Sequence, residues 1–168
     1  MALKTTSSTI AIGFSLTESG ANTFTQSRID LQLNPLDQEV FVVLAVDLDP
    51  AAPFNIAGVN TSTEMSLSTT SLTAMGNINQ SQVIANTKLD IRQDVGSLTG
   101  VPFTRASGDE PSGNLDYIAI ISTNDFFIQI EGSGNPGART GFGRMWGYRA
   151  KADAATYAAL VQSEVLSS

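Results

Sequence analysis

Asp47 and Asp49 stand two residues apart in "VDLDP", at the end of a long apolar run. On an extended strand that spacing puts both carboxylates on one face about 7 Å apart. Two carboxylates so placed can work on a glycosidic bond, one as acid and the other as nucleophile or base. With Asp109 and Glu110 of "SGDEPSG" they can instead offer hard oxygen ligands to Ca²⁺, although the ligand spacing of an EF-hand loop is absent. The plainer reading is stronger: carboxylates that end a strand in an acidic chain are ordinarily solvated.

No other constellation offers chemistry. The 168 residues include no histidine and no cysteine, which removes the commonest general base, the usual transition-metal ligands, thiolate chemistry and disulfides. Neither a P-loop, nor a dinucleotide-binding fingerprint (a GxGxxG turn that follows a strand and opens a helix), nor a nucleophile elbow is present. The expectation is a protein that is not an enzyme and that needs no cofactor.

Charge narrows the partners. Nine basic residues against 16 acidic give a net charge of −7, and the cations are scattered apart from a loose Arg144, Arg149, Lys151 group. A chain that grips nucleic acid by its phosphates needs a basic stripe, so no nucleic-acid partner is expected. The start, "MALKTTSSTIAIGFSL", lacks the apolar run of a signal peptide, and the longest strictly apolar stretch, Val40 to Val46, is far short of a membrane span. A soluble protein with no membrane partner is expected. At this length a single domain, residues 1–168, buries roughly 68–70% of its unfolded surface.

The elements that would position those residues are mostly strands. Thr9 to Leu16 alternates strictly, with Ile10, Ile12, Phe14 and Leu16 on one face. Residues 23–33 repeat the pattern with Ile29, Leu31 and Leu33, and "NPLDQ" at 34–38 turns the chain. In 39–49 the spacing sets Val40, Val42, Leu44, Val46 and Leu48 on one apolar face, and "PAAP" stops the strand. Residues 54–81 read as a Ser/Thr/Asn-rich surface excursion with one or two short strands. Further strands fall at Thr87–Ile91 and Val101–Phe103, before an exposed loop at 107–113. Residues 115–122 and 125–131 read as a hairpin about Thr123-Asn124, "GSGNPG" at 132–137 as a loop, and 139–150 as the last strand. Phe142, Trp146 and Tyr148 share one side of that last strand, a row that reads first as core.

The rhythm then changes. Asp153 is a good N-cap, and the alanine-rich stretch to about residue 166 sets Tyr157, Leu160, Val161 and Val165 at spacings of three and four, an amphipathic helix. Its stripe either caps the chain's own sandwich or docks on a neighbouring subunit. Eight or nine short strands without alternating helices predict an all-β fold: an antiparallel β-sandwich, jelly-roll-like, with a single C-terminal α-helix.

The last quarter, "DFFIQIEGSGNPGARTGFGRMWGYRAKADAATYAALVQSEVLSS", resembles C-terminal segments of virion structural proteins of marine tailed phages, cyanophages especially. What carries it is a strand, a GxGN-type turn, an aromatic strand ending "GYRAKAD" and the helix "AATYAALVQSEVL". The resemblance implies a capsid decoration protein of cement or knob-like type. Such a protein is made in the host cytoplasm and displayed on the virion capsid surface. Its partners would be the major capsid protein and itself, as a homo-oligomer, dimer or trimer. Contact candidates are Trp146, Tyr148, Arg149, Tyr157, Leu160 and Val161. Two other readings share the fold: a carbohydrate-binding or adhesion module that stacks sugars on Trp146, Tyr148 or Phe127, and a single jelly-roll coat protein.

Overall fold

The computed structural model describes residues 3–94, 96, 99–106 and 115–166, and among them the alternating stretches form ten strands and a closing α-helix. The strands are β1 (Leu3–Thr5), β2 (Ile10–Thr17), β3 (Thr25–Asp30), β4 (Glu39–Pro50), β5 (Thr61–Ser68), β6 (Val83–Gln93), β7 (Gly100–Ala106), β8 (Ala119–Ile121), β9 (Asp125–Ser133) and β10 (Thr140–Ala152), followed by α1 (Ala154–Leu166). No helix among the described residues is long and apolar enough to cross a membrane.

Two antiparallel sheets result. In the first, β1 and β2 lie in line along one edge of β10, and β4 and β8 follow on its other side. The second runs β3-β9-β5-β6-β7. The pairing is nested: β2 with β10, β3 with β9, β4 with β8, β5 with β6. A long hairpin rolled up on itself gives that nesting, and it makes this fold a double-sheet jelly roll, as the strand pattern predicts. Between the sheets sit Phe41, Val43, Leu67, Ile121, Phe126, Ile128 and Met145, all buried.

Four local expectations are corrected. First, the apolar row of β4 does not lie on one face. Ala45 opposes Trp146 while Val43 opposes Gly147, so Leu44 is an extra residue and β4 bulges there. One inserted residue exchanges the faces. Phe41 and Val43 therefore point between the sheets, Val40 and Val42 point outward, and Val46 returns to the inner side.

Second, 115–131 is not a hairpin. β8 pairs with β4 in the first sheet and β9 with β3 and β5 in the second, so Ser122–Asn124 crosses between sheets. Asn124 fixes that crossing with its backbone and side-chain oxygens, which accept the Leu31 and Leu33 amides.

Third, residues 61–68 are central rather than a surface excursion. β5 lies between β9 and β6, and Thr61, Ser62, Thr63, Ser66 and Ser68 are buried. Its outward hydroxyls are satisfied: Ser66 donates to Gln129 Oε1 at 2.7 Å, and Gln129 Nε2 donates to Ser68 at 2.8 Å. The following loop covers them, with the Gly76 and Leu72 amides bonded to Ser66 and Gln26. A polar composition hides a strand whose outer face is roofed by its own loop.

Fourth, the aromatic row of β10 lies on the outer side of its sheet rather than between the sheets. On that outer side Tyr148 packs on a second apolar layer, while Phe142 and Trp146 do not. Inward from β10 point Gly141, Gly143, Met145 and Gly147, and the places of the missing side chains are taken by Met65, Phe14 and Phe41. Phe142, Arg144 and Trp146 therefore face outward.

Candidate functional site

The outward face of the first sheet divides at the β4 bulge. On one half, Val40, Val42, Ala150 and Ala152 make a second apolar layer, with Leu3, Tyr117, Ile120, Tyr148, Tyr157 and Leu160 packed on it. Here α1 lies on its own sheet, as the first reading of its stripe has it. The helix is held at both ends. Asp153 caps its start, accepting the Thr156 amide at 2.8 Å. Near its end the buried Glu164 accepts the Ser122 and Thr123 amides and both their hydroxyls.

The other half is open. Three rungs cross it: Ser15–Phe142–Asp49, Gly13–Arg144–Asp47 and Ala11–Trp146–Ala45. Phe142 is 54% exposed, Trp146 is half-buried, and the Arg144 guanidinium lies 5.8 Å from the Trp146 ring centre. That separation is at the outer limit of cation–π attraction. Asp47 and Asp49 are exposed on this face, as the strand spacing predicts, and they stand opposite Arg144 and Phe142. Asp109 and Glu110 lie outside the described residues. Among the described residues no group of three or more metal-ligating side chains converges on a point where a cation can sit.

Of the six contact candidates, Trp146 lies on the open half. Tyr148, Tyr157 and Leu160 are engaged within the chain beneath the helix. Val161 is half-buried on α1. Arg149 is a clamp: it donates to Leu31 O at 2.7 Å and Gln32 O at 3.0 Å, and pairs with Glu39 at 3.2 Å, pinning the loop after β3. Phe127 is half-buried on the outer side of the second sheet, between Arg28 and Ser68.

Two features had no sequence signal. Glu18 is 4% exposed, and its carboxylate accepts the amides of Gly132 at 2.7 Å, Arg139 at 2.7 Å and Thr23 at 3.0 Å, tying its own loop and the loop before β10 to the end of β9. The other is a cleft of about 400 Å³ between α1, β8 and the start of β6, lined by Ile78, Ile84, Ile118 and Leu160 with Ser163 and Glu164. Its buried carboxylate is already committed to the Ser122–Thr123 turn. The open sheet face, with aromatics, a guanidinium and two carboxylates on a flat shelf, is the candidate site. It is equipped for recognition.

No protein-family model matches the chain, and no curated protein matches it. Among solved structures it is similar to a chain of Desmodium yellow mottle tymovirus, at 14% identity and a TM-score of 0.31, covering 88% of this chain and 90% of that one. A fainter likeness, at 9% identity and a TM-score of 0.17, is to the tailspike protein gp49 of Acinetobacter baumannii bacteriophage Fri1, a capsular polysaccharide depolymerase. It covers 76% of this chain and 21% of that one. Neither name is that of a cyanophage.

Proposed function

We propose that this chain is a virion structural protein that decorates the outside of a tailed-phage head, binding the major capsid protein and its own copies. One observation carries this reading: a complete jelly roll whose open sheet face presents Phe142, Trp146 and Arg144 to solvent. Aromatic residues and arginine are the types enriched in interface cores and binding hot spots. The net charge of −7 disfavours a position lining packaged genome and suits the outer surface. Mechanically the protein works by adding buried area across subunit boundaries, where about 1,200–2,000 Å² makes a stable contact. The test is binding of the purified chain to expanded, empty heads, followed by electron microscopy. Density at symmetry-related outer sites is expected. Absence of binding, with antibodies that label no intact virion, overturns the reading.

A second reading has its own support. Trp146 and Phe142 share the open face with Asp47 and Asp49, and aromatic faces beside carboxylates suit sugar rings and their hydroxyls. A tryptophan emission shift on adding glycans, with no binding to heads, would favour this adhesion module.

A further inference from the structure

Among the described residues the two sheets have four outer edges: the β1–β2 line and β8 on the first, β3 and β7 on the second. An edge strand offers unbonded N–H and C=O groups to any passing strand, and folded proteins blunt such edges with shortness, charge, proline or a cover. Three edges here are blunted. β8 has three residues and lies against α1. β3 carries Arg28 and Asp30, and Arg28 forms ion pairs with both Asp30 and Asp125. β7 contains Pro102. β2 has no such device: "IAIGFSLT" is eight residues long without charge or proline, and among the described residues its ladder is to β10.

Two more observations concern β2. Its inward row, Ile12, Phe14 and Leu16, packs on the core yet stays half-buried, because among the described residues no strand lies beyond it. On the outward row, a Cβ built on Gly13 meets nothing within 4 Å. Among the described residues, no packing contact calls for glycine there.

We propose that β2 is a self-pairing edge, where β2 of a second copy adds antiparallel across a twofold axis and joins the two first sheets into one. Charge admits a second copy as the occupant at β2, and the twofold symmetry of an antiparallel self-pairing favours it. Chains of net charge −7 repel wherever their carboxylates meet. The outward residues of β2, Ala11, Gly13, Ser15 and Thr17, are uncharged, and the charged residue directly behind them on β10 is the cation Arg144. In the pair, the two Arg144 residues sit three strand spacings apart, about 14 Å, beyond the roughly 8–10 Å reach of screened charge. A strand that pairs antiparallel with its own copy meets the requirement that a twofold contact match itself. The inference deepens the self-association in the proposed function and rests on none of its virion part.

The test uses the full chain and two variants, Ala11→Lys/Ser15→Lys and Ala11→Glu/Ser15→Glu, whose altered side chains are exposed and leave the fold intact by circular dichroism. Sedimentation velocity over a wide concentration range should find the natural chain dimeric, with β2 amides exchanging more slowly as the dimer fills. Each variant alone should dissociate roughly tenfold more readily or worse, since like charges face each other across the new ladder. An equal mixture should restore a one-to-one dimer. A natural chain that is monomeric throughout, or variants that dimerise as well as it does, would overturn the proposal. So would β2 protection that arises only when a different protein is added. A dimer that binds no heads would leave the β2 contact standing and remove the virion reading, whereas a monomer that binds them would do the reverse.

Discussion

Glu164 in α1 holds Ser122 at the crossing between the sheets, 42 residues earlier in the chain: its Oε2 accepts the Ser122 amide at 2.9 Å and the Ser122 hydroxyl as well. Thr123 adds its amide at 3.1 Å and, to Oε1, its hydroxyl at 2.9 Å. A carboxylate only 7% exposed is tolerable because these donors replace its water.

Removing it strands two backbone amides and unpins the helix. Glu164→Ala should destabilise the fold by about 2–4 kcal/mol, a loss of roughly 5–15 °C in Tm for a chain this size. Glu164→Gln, which keeps one acceptor oxygen, should fall between. Thermal unfolding by circular dichroism decides it. A Tm within about 2 °C of the natural chain would mean that the helix is held by its apolar stripe alone.

Gly147 offers a harsher test of the bulge. A Cβ there would lie 2.3 Å from the Val42 carbonyl oxygen and 2.4 Å from the Phe41 ring, and neither the backbone nor a core aromatic can retreat cheaply. Gly147→Ala should cost about 1–3 kcal/mol, where Gly13→Ala, facing open space, should be neutral or slightly stabilising in the monomer. Urea denaturation of the two variants side by side measures the contrast. Equal midpoints would mean the bulge is not where Leu44 places it.

That bulge also marks where sequence reading stops. Alternation located β2, β4, β6 and β10 and the helix, because period-two burial on a pleated sheet leaves a direct imprint on residue types. It failed at Leu44, since one inserted residue exchanges the faces while the apolar run continues unbroken. Likewise β5 reads as loop because its outward Ser66 and Ser68 are polar, yet they are buried under the loop that follows and satisfied by Gln129. Glu18 and Glu164 carried no signal at all. A buried carboxylate is recognisable only when the donors are in place, and these come from distant loops. Of the site itself, the outward Asp47 and Asp49 were legible. The outward aromatics were not, because a row of large apolar side chains reads as core whichever way the strand turns.

Trp146 reports on that row directly. Half-buried beside Arg144 on the open half of the sheet, it should be quenched by acrylamide in the native protein, as no core tryptophan would be. Arg144→Ala should increase the quenching and move the emission to the red without lowering Tm by more than about 1–2 °C, because surface changes of this kind alter stability by roughly half a kcal/mol. Native emission that resists quencher would return Trp146 to the interior and take the candidate site with it.

Asp153 supplies a pH dependence with a definite sign. The Thr156 amide, donating to its carboxylate, holds Asp153 below the ordinary aspartate value of 3.8. A carboxyl whose folded value is depressed contributes its full stabilisation above the unfolded value and loses it as pH falls through the lower folded one. The first turn of α1 should therefore stay protected at neutral pH and fray below pH 3.8, seen as faster amide exchange at Thr156 and Tyr157 and a carboxyl titration midpoint under the ordinary value. Asp153→Asn keeps the acceptor but cannot titrate, so its first turn should lose this acid-dependent step, while Asp153→Ala should fray at every pH. If the natural chain and Asp153→Asn frayed alike on acidification, the cap would not be the titrating element, and the carboxylates packed around α1 would have to be searched for another.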